Sequence, residues 1–255
     1  GSRFNLTFHC RERSRSALSV GIRFDTREIA SGYINAVFAP RDLNGGMVEL
    51  TGRLSTNPFM NIGIFYQDAW LGKFGLSYTY RYGNMELYTS RDTTSHNVRF
   101  HKNRFNLDVA NFYYRNFNFY LGARYENFRS QSFLMANQAS LQKQNLKENL
   151  ISYRGGVRYD SFDNAHYPGN GVQFKAEYAL YTDNMATYKD GIPFSAFSAS
   201  LFVAVPVAHR VTLVPALYGR FLYGEQFAFP MQNFVGGNIG GHYLDHQLPF
   251  YGFLP

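Results

Sequence analysis

Residues 74–83 read Phe-Gly-Leu-Ser-Tyr-Thr-Tyr-Arg-Tyr-Gly. Every second side chain is large and apolar or aromatic, and those between them are small or charged. Successive side chains of a β-strand point to opposite faces of the sheet, so this stretch predicts a strand with one apolar and one polar face. Leu18, Val20, Ile22 and Phe24 repeat the pattern near the N-terminus. The chain is therefore expected to build a sheet whose two faces differ sharply in polarity.

The same alternation predicts eleven strands, and a twelfth could begin at Leu248. The predicted strands are 16–25, 30–39, 46–55, 59–67, 73–83, 98–111, 116–127, 150–160, 171–181, 196–206 and 211–223. The four longest connections all fall at one end of such a sheet, as in outer-membrane barrels with short periplasmic turns and long outer loops. Residues 131–149, within one long connection, could form a short helix. The predicted fold class is an all-β antiparallel transmembrane β-barrel.

Composition supports a barrel over a helical membrane protein. Of the 255 residues 18% are aromatic, with 25 Phe, 20 Tyr and a single Trp, which is typical of aromatic girdles at a membrane interface. The mean hydropathy of −0.31 fits a barrel, because only every second strand residue faces lipid. No apolar run approaches the roughly 18 residues that a spanning helix needs.

The domain organisation is simple. No linker or shift in composition divides the chain, so we expect residues 1–16 to be an N-terminal scar and lead-in segment and residues 17–255 to be one barrel. The chain ends just after a twelfth strand would start, and we expect the closing strands to be missing at the C-terminus. How the barrel closes stays open. Cys10 is the only cysteine; it has no internal partner and is interpreted as structural or incidental.

The net charge of +7 does not predict nucleic-acid binding. Lys and Arg are scattered singly on the polar faces of strands, without a basic cluster or helix. A lumen lined with arginines, or contact with anionic lipid head groups, explains this charge better. The predicted lumen-lining basic residues are Arg53, Arg81, Arg124, Arg154 and Arg158.

The alternation of apolar and polar residues does not account for two passages of the sequence. The first joins two strong strands and contains Asp160, Asp163, Asn164, Pro168 and Gly171. Asp and Asn bond nearby backbone, Pro fixes φ, and Gly permits positive φ. These residues predict a tight, rigid turn at the periplasmic end.

The second passage, residues 234–250, is rich in glycine before an aromatic and polar run. Such a loop brings its backbone close to another surface. Phosphate-loop chemistry is excluded, because no Lys-Ser/Thr follows the glycines. A metal site built from His242, Asp245 and His246 would have no fixed element beneath it, so neither a metal nor a cofactor is predicted. The predicted lumen or plug-loop residues are Gly236, Gly237, Gly240, Gly241, His242 and Tyr243.

Together the two passages resemble the bacterial surface antigen barrel of BamA- and TamA-like outer-membrane proteins. The resemblance implies a sixteen-strand barrel in the outer membrane of a Gram-negative bacterium, with the glycine-rich loop folded back into the lumen after strand eleven. It also implies outer-membrane lipid and an unfolded client polypeptide as partners. Where the family has Arg before Gly-Tyr, this chain has Gly241-His242-Tyr243, which puts the family's arginine–carboxylate contact in doubt.

Three further stretches resemble the barrel that follows patatin-like phospholipase domains in Bacteroidetes-type proteins: residues 178–184, 218–220 and 247–250. A patatin domain would carry a Gly-x-Ser-x-Gly nucleophile elbow, and this chain contains none. No catalytic residue is predicted here, so the chain is not expected to be an enzyme. A lipid hydrolase would have to lie in a covalently linked upstream domain.

Several functions remain open from the sequence. The favoured one is an outer-membrane barrel that inserts or translocates polypeptide, or anchors an upstream domain. A diffusion porin with an anion-attracting lumen, and a patatin-like phospholipase barrel, are alternatives. A soluble carbohydrate-binding module is disfavoured, because so large an apolar face would be hard to bury in one core.

Overall fold

The computed structural model describes residues 16–25, 29–40, 45–68, 72–88, 95–134, 144–164, 167–208, 211–235 and 246–248. Within these ranges the chain is almost entirely β, with one turn of 3-10 helix, η1 (Phe229–Met231). The strands are β1 (Ala17–Asp25), β2 (Ile29–Phe38), β3 (Gly46–Leu54), β4 (Phe59–Asp68), β5 (Gly72–Tyr88), β6 (Ser95–Tyr114), β7 (Phe117–Leu134), β8 (Gln144–Asp160), β9 (Gly171–Thr182), β10 (Phe194–Ala208), β11 (Val211–Leu213), β12 (Ala216–Tyr223), β13 (Phe234–Val235) and β14 (Gln247–Leu248).

Twelve of these strands form one antiparallel sheet in which spatial order follows chain order from β1 to β10. The predicted all-β antiparallel fold is therefore confirmed. β11 and β12 both pair with β10. They are separated by residues 214–215, where Pro215 lacks the N–H that a continuous ladder needs. The pair acts as one interrupted strand, so the chain crosses the sheet eleven times, as predicted.

The described residues at the C-terminal end, Gln247 and Leu248, do not join the large sheet as a twelfth barrel strand. Gln247 and Leu248 pair in parallel with Phe234 and Val235 in a separate two-stranded sheet. Leu248 is the last described residue, and residues 249–255 lie outside the described ranges.

One face of the large sheet, here called the outer face, exposes its apolar side chains. On β1 the side chains of Leu18, Val20, Ile22 and Phe24 are 69–76% exposed. Cross-strand partners share a face, and the exposed apolar rows continue across the sheet. They include Ile62, Leu76, Leu107, Leu121, Tyr178 and Phe221. An apolar surface this extensive is typical of a barrel wall that faces hydrocarbon.

The opposite or inner face is polar at the same height. Ser77 pairs with Asn106 and Asn106 with Arg124, and all three lie on this face. Lys102 and Glu126 are 4% and 2% exposed. Transmembrane barrels have this arrangement, with polar residues in the lumen and apolar residues toward lipid.

Strands β5 to β8 are longer than the alternation predicted, and a reversal of polarity explains why. On β7 the outer face carries Phe119, Leu121 and Tyr125, then changes to Asn127 and Arg129. The apolar part, residues 117–125, has the 9–11 residues of a membrane-spanning strand. Beyond it the buried rings of Phe100 and Phe128 lie on the inner face, so apolar side chains now lie on the opposite side of the strand.

The extension also corrects the prediction for residues 131–149. Residues 131–134 belong to β7 and residues 144–149 to β8, so these parts are strand and the helix prediction is wrong for them. Residues 135–143 lie outside the described ranges. Polar Gln and Asn on the outward face are what a strand above the membrane requires, and in sequence they are typical of a loop.

Candidate functional site: the inner wall and its docked loop

The loop after β12 lies against the inner face of the sheet. Ala228 and Met231 are 0% and 1% exposed and pack on Leu150, Tyr181 and Phe194 of the inner face. The antiparallel order places this loop at the same end of the sheet as the C-terminal ends of β5 and β7 and the connection 183–193, and we call this the long-loop end. Connections at the other, short-turn end include residues 115–116 and 161–170.

Arg220 of β12 holds this loop in place. Its Nη1 donates to the carbonyl oxygen of Met231 at 2.7 Å and to Oδ1 of Asn233 at 2.6 Å. The Asn233 side-chain amide donates back to the carbonyl of Arg220 at 3.4 Å. A guanidinium with several fixed donors suits the capture of a loop backbone.

An apolar cluster closes around the docked loop. The ring of Phe194 stacks on Tyr181 at 4.8 Å and meets Tyr188 edge-on at 4.8 Å and Phe227 edge-on at 5.8 Å. Phe194 is 0% exposed and Tyr188 is 2% exposed. Tyr188 comes from the connection 183–193 and Phe227 from the loop after β12. Two loops and the inner wall therefore share one core, which we call the inner apolar cluster.

Below this cluster the wall is dominated by a buried carboxylate, Glu126. Its Oε1 lies 2.5 Å from Nε of Arg104, 3.2 Å from Nζ of Lys102 and 3.7 Å from Nη1 of Arg124. Three cations thus converge on one carboxylate from β6 and β7. A buried charge is costly unless it is paired, so this cluster depends on Glu126.

Two further ion pairs extend the wall toward the short-turn end. Arg154 Nη2 lies 3.2 Å from Oδ1 of Asp108, and Lys175 Nζ lies 3.4 Å from Oε2 of Glu177. The Tyr120 hydroxyl also donates to Oε2 of Glu177, at 2.5 Å.

These side chains surround a cavity of about 410 Å³. Its lining includes Arg104, Arg124, Arg154, Lys175, Tyr218 and His246. The lining draws on strands from β6 to β12, which a flat sheet would spread over about 24 Å at 4.8 Å per spacing. The sheet is therefore concave on its inner side, as a barrel wall is.

His246 is the loop residue that reaches this cavity. Burial, followed by the positive charge of Arg220, lowers the pKa of His246 to about 3, so its ring is neutral at neutral pH. Its Nε2 is buried and has no hydrogen-bond partner among the described residues.

The five arginines predicted from the sequence all lie on the inner face, but they do not form one group. Arg124 and Arg154 line the cavity. Arg53 donates to the carbonyl of Asn57 at 2.8 Å, Arg81 lies over the ring of Phe59, and Arg158 lies 3.5 Å from Asp160. Their role in a wet lumen stays a prediction.

The predicted rigid turn carries a dense set of side-chain bonds to backbone. Oδ1 of Asp163 accepts from the amides of Gly169 at 2.8 Å and Asn170 at 3.2 Å. Oδ1 of Asp160 accepts from the Phe162 amide at 3.2 Å, and Oδ1 of Asn164 from the Tyr167 amide at 3.1 Å.

Gly171 follows Pro168 in this turn and adopts φ +120°, where a Cβ would collide with the carbonyl oxygen of Ser161. Only glycine takes up that conformation without strain. The assignment of this turn to the periplasmic side stays a prediction.

The six residues predicted for the plug loop, Gly236, Gly237, Gly240, Gly241, His242 and Tyr243, lie outside the described residues. The segments on both sides of them are described. Asn233 is bonded to Arg220, and His246 lines the inner cavity.

Sequence reasoning missed Lys102, Arg104, Glu126 and Arg220. The sequence did contain one signal for Glu126: it follows Arg124 by two residues, on the same polar face of a predicted strand. Arg220 lies on the polar face of a predicted strand, but its partners in the loop are set by the tertiary fold and have no signal in the sequence.

Comparisons with known proteins agree with this geometry. A family model described as the OMP85 superfamily matches residues 70–254. The crystal structure of BamA from Haemophilus ducreyi lacking POTRA domains 1–3 is similar in fold, with a TM-score of 0.57 and 16% identity. The match covers 90% of this chain and 46% of that one, so this chain spans about half the length of the solved structure. No curated protein sequence matches.

No helix in the described part of the chain has the length and apolarity to cross a membrane. No group of three or more His, Cys, Asp or Glu side chains within the described ranges is arranged to hold a metal ion.

Proposed function

The chain belongs to the OMP85 superfamily and forms a β-barrel of the Gram-negative outer membrane, and on that premise we propose that it inserts client polypeptides into this membrane or translocates them across it. Such a barrel is not an enzyme fold. Its action on a client would be physical, through strand pairing, a wet lumen and a loop that closes it.

The observation that carries this proposal is the docked loop. Arg220 fixes the backbone of the loop after β12 to the wall, and Phe194 joins it to the connection 183–193 in one core. A free-diffusion pore requires an open lumen, whereas this inner apolar cluster packs side chains of two loops against the inner wall at the long-loop end. A closed lumen is compatible with a machine that opens only for a client.

The edge of the sheet supplies a way to engage a client. Within the described residues β1 pairs with β2 only, and the side chains of residues 17–24 are exposed. An unpaired strand edge presents backbone N–H and C=O groups that another strand can pair with. We infer that a client strand is received by backbone pairing of this kind.

The test is reconstitution of the purified chain in liposomes with a urea-unfolded outer-membrane barrel as client. We expect client folding, followed by its heat-modifiable shift on a gel, to be faster than in empty liposomes. Planar-bilayer recording of the same preparation should show no steady conductance. Unchanged client folding together with a steady conductance would overturn the proposal.

A diffusion channel is the second candidate, and the cationic inner wall favours it. Arg104, Arg124, Arg154 and Lys175 would attract anions into an aqueous lumen. The two candidates differ in the recording: a channel gives steady, anion-selective current without a client, and an insertion machine does not.

A further inference from the structure

The cavity in the inner wall is lined by groups that donate hydrogen bonds. Four of its residues are cations, Arg104, Arg124, Arg154 and Lys175, and Glu177 is the one carboxylate. Ser198, Ser200 and Tyr218 add hydroxyl groups. The lining is therefore rich in donors and poor in acceptors.

Each carboxylate near the cavity is engaged through one oxygen, Oε2 of Glu177 and Oε1 of Glu126, whereas Oε2 of Glu126 is buried without a hydrogen-bond partner among the described residues. Glu177 accepts a hydrogen bond from the Tyr120 hydroxyl and forms an ion pair with Lys175 at 3.4 Å. Glu126 lies 2.5 Å from Arg104 and 3.2 Å from Lys102, so it leaves Arg124 at 3.7 Å, beyond hydrogen-bond length. Arg124 is held instead by the neutral amide oxygen of Asn106, at 2.8 Å. Arg124 therefore shares the single Glu126 carboxylate with two closer cations.

Buried nitrogen atoms without hydrogen-bond partners in the lining also favour a ligand. Nε of Arg154, a donor, and Nε2 of His246, which donates or accepts according to the tautomer of the neutral ring, are buried without a hydrogen-bond partner among the described residues. Arg154 is fixed by Asp108 through Nη2 alone. A buried unsatisfied donor costs about 1–3 kcal/mol, so such a group usually marks a place where a ligand or an ordered water bonds.

We propose that this cavity is a binding site for the phosphate group of a small polar ligand, with Arg124, Arg154 and Lys175 as its cationic contacts. A phosphate offers three or more acceptor oxygens to donors that arrive from different strands, whereas a carboxylate offers two. Arginine matches phosphate through paired parallel N–H bonds, and lysine adds a point charge.

The size of the cavity adds a constraint on the ligand. At about 410 Å³ it falls within the range of small-molecule sites, and it exceeds the needs of a bare ion. A phosphate ester fits better than free phosphate alone, with Tyr218 and the serine hydroxyls facing the rest of the ligand. The source is either a free phosphorylated metabolite or the phosphorylated head group of a glycolipid.

The site is also coupled to the loop. His246 reaches the cavity from the loop after β12, on the same segment that Arg220 and the inner apolar cluster hold. A ligand in the cavity would contact wall and loop together. This inference is independent of the proposed handling of clients, because binding is measured without a client.

The experiment is isothermal titration of the detergent-purified full chain at constant ionic strength. The probes are inorganic phosphate, glucose 6-phosphate and, as a neutral control, glucose; vesicles containing a phosphorylated glycolipid form a separate arm. We expect saturable binding of the phosphate probes and none of glucose. Tighter binding of glucose 6-phosphate than of the glycolipid vesicles would indicate a free ligand, and the reverse would indicate a lipid head group.

Variants locate the site. Arg154→Gln should weaken binding at least tenfold, and Arg154→Lys should restore part of it. Arg158→Gln is the matched control, because it removes the same charge from the same face of β8, outside the cavity. The heat-modifiable gel shift reports whether each variant folds, and Lys175→Gln serves if Arg154→Gln does not. Absence of saturable phosphate binding, or an equal loss in Arg154→Gln and Arg158→Gln, would overturn the proposal.

Discussion

The ring of Phe100 on β6 stacks on the ring of Phe128 on β7, with centroids 5.3 Å apart, on the inner face of the sheet. Both rings are almost fully buried, at 0% and 1% exposure. On the outer face at the same height lie the polar side chains of His101 and Asn127. The sheet therefore changes from a membrane wall, apolar outside, to a water-exposed sheet with an apolar interior. We infer that this change marks the boundary, toward the long-loop end, of the lipid-facing part of the sheet, which we call the membrane band.

A charge placed within the band should be destabilising, whereas the same charge above it should not. Leu121→Arg puts a guanidinium near the middle of the lipid-facing stretch 117–125, and we expect a loss of about 2–4 kcal/mol in the free energy of unfolding. Asn127→Arg, on the same strand and face, should change it little. Urea titration of the chain folded in lipid vesicles measures both. Equal effects of the two substitutions would place the boundary elsewhere.

The inner apolar cluster should control closure of the lumen. Phe194→Ala removes a fully buried ring that contacts Tyr181, Tyr188 and Phe227. We expect a loss of about 3–5 kcal/mol in stability and the appearance of current in planar bilayers as the loop loosens. Phe197→Ala, on the same strand but the outer face, is the control and should give no current. If the Phe194→Ala barrel gave no current, other contacts would close the lumen.

Glu126 should hold the cations of the wall together. Glu126→Gln leaves Lys102, Arg104 and Arg124 without their shared carboxylate, and we expect a loss of about 3–5 kcal/mol. Lys102→Met in the same chain should recover part of it, because one of the three cations is then gone. Unfolding of the two single variants and the double variant forms a double-mutant cycle. Strict additivity in that cycle would contradict the assignment.

Asp163 should titrate at unusually low pH. Hydrogen bonds from the amides of Asn170 and Gly169 hold the pKa of Asp163 below its ordinary value. A lowered folded pKa means that the turn gains stability above the ordinary carboxyl pKa and loses it as pH falls through the lower folded value.

The amide resonances of Gly169 and Asn170 in detergent micelles report this titration. Their midpoint should lie below that of an unfolded Asp-containing peptide, near pH 3.9. In Asp163→Ala the titration should disappear and exchange of both amides should become faster. In Asp163→Asn, which keeps the Oδ1 acceptor, exchange should stay slow. A midpoint at or above the peptide value would contradict the geometry.

The fold could be predicted from the sequence because a strand with lipid on one face and a polar lumen on the other alternates apolar and polar residues. Residues 117–125 alternate apolar and polar side chains, and so do residues 74–82, so strand number and antiparallel order were predictable. Prediction failed where the solvent changes. Beyond Tyr125 the outer face meets water and Phe128 faces a core, so the apolar side reverses and the strand resembles a loop.

The site was less predictable than the fold. Arg124 and Arg154 could be identified from the sequence because a cation on the polar face of a membrane strand is expected to point into the lumen. The contacts of Arg220 with Met231 and Asn233 depend on how a loop folds back, which no local pattern encodes. The neutral state of His246 depends on its burial at the cavity and on the nearby charge of Arg220, which the sequence alone does not show.

The central claim is that the exposed apolar face of the sheet contacts hydrocarbon and the inner face contacts water. A cysteine scan along β7 tests it, with Cys10 replaced and a fluorophore attached at positions 119–129 in turn. Quenching by brominated lipid should alternate, strong at Phe119, Leu121, Ala123 and Tyr125 and weak at Tyr120, Gly122 and Arg124, and should stop at Asn127. Strong quenching at the inner positions, or none at the outer ones, would contradict the account.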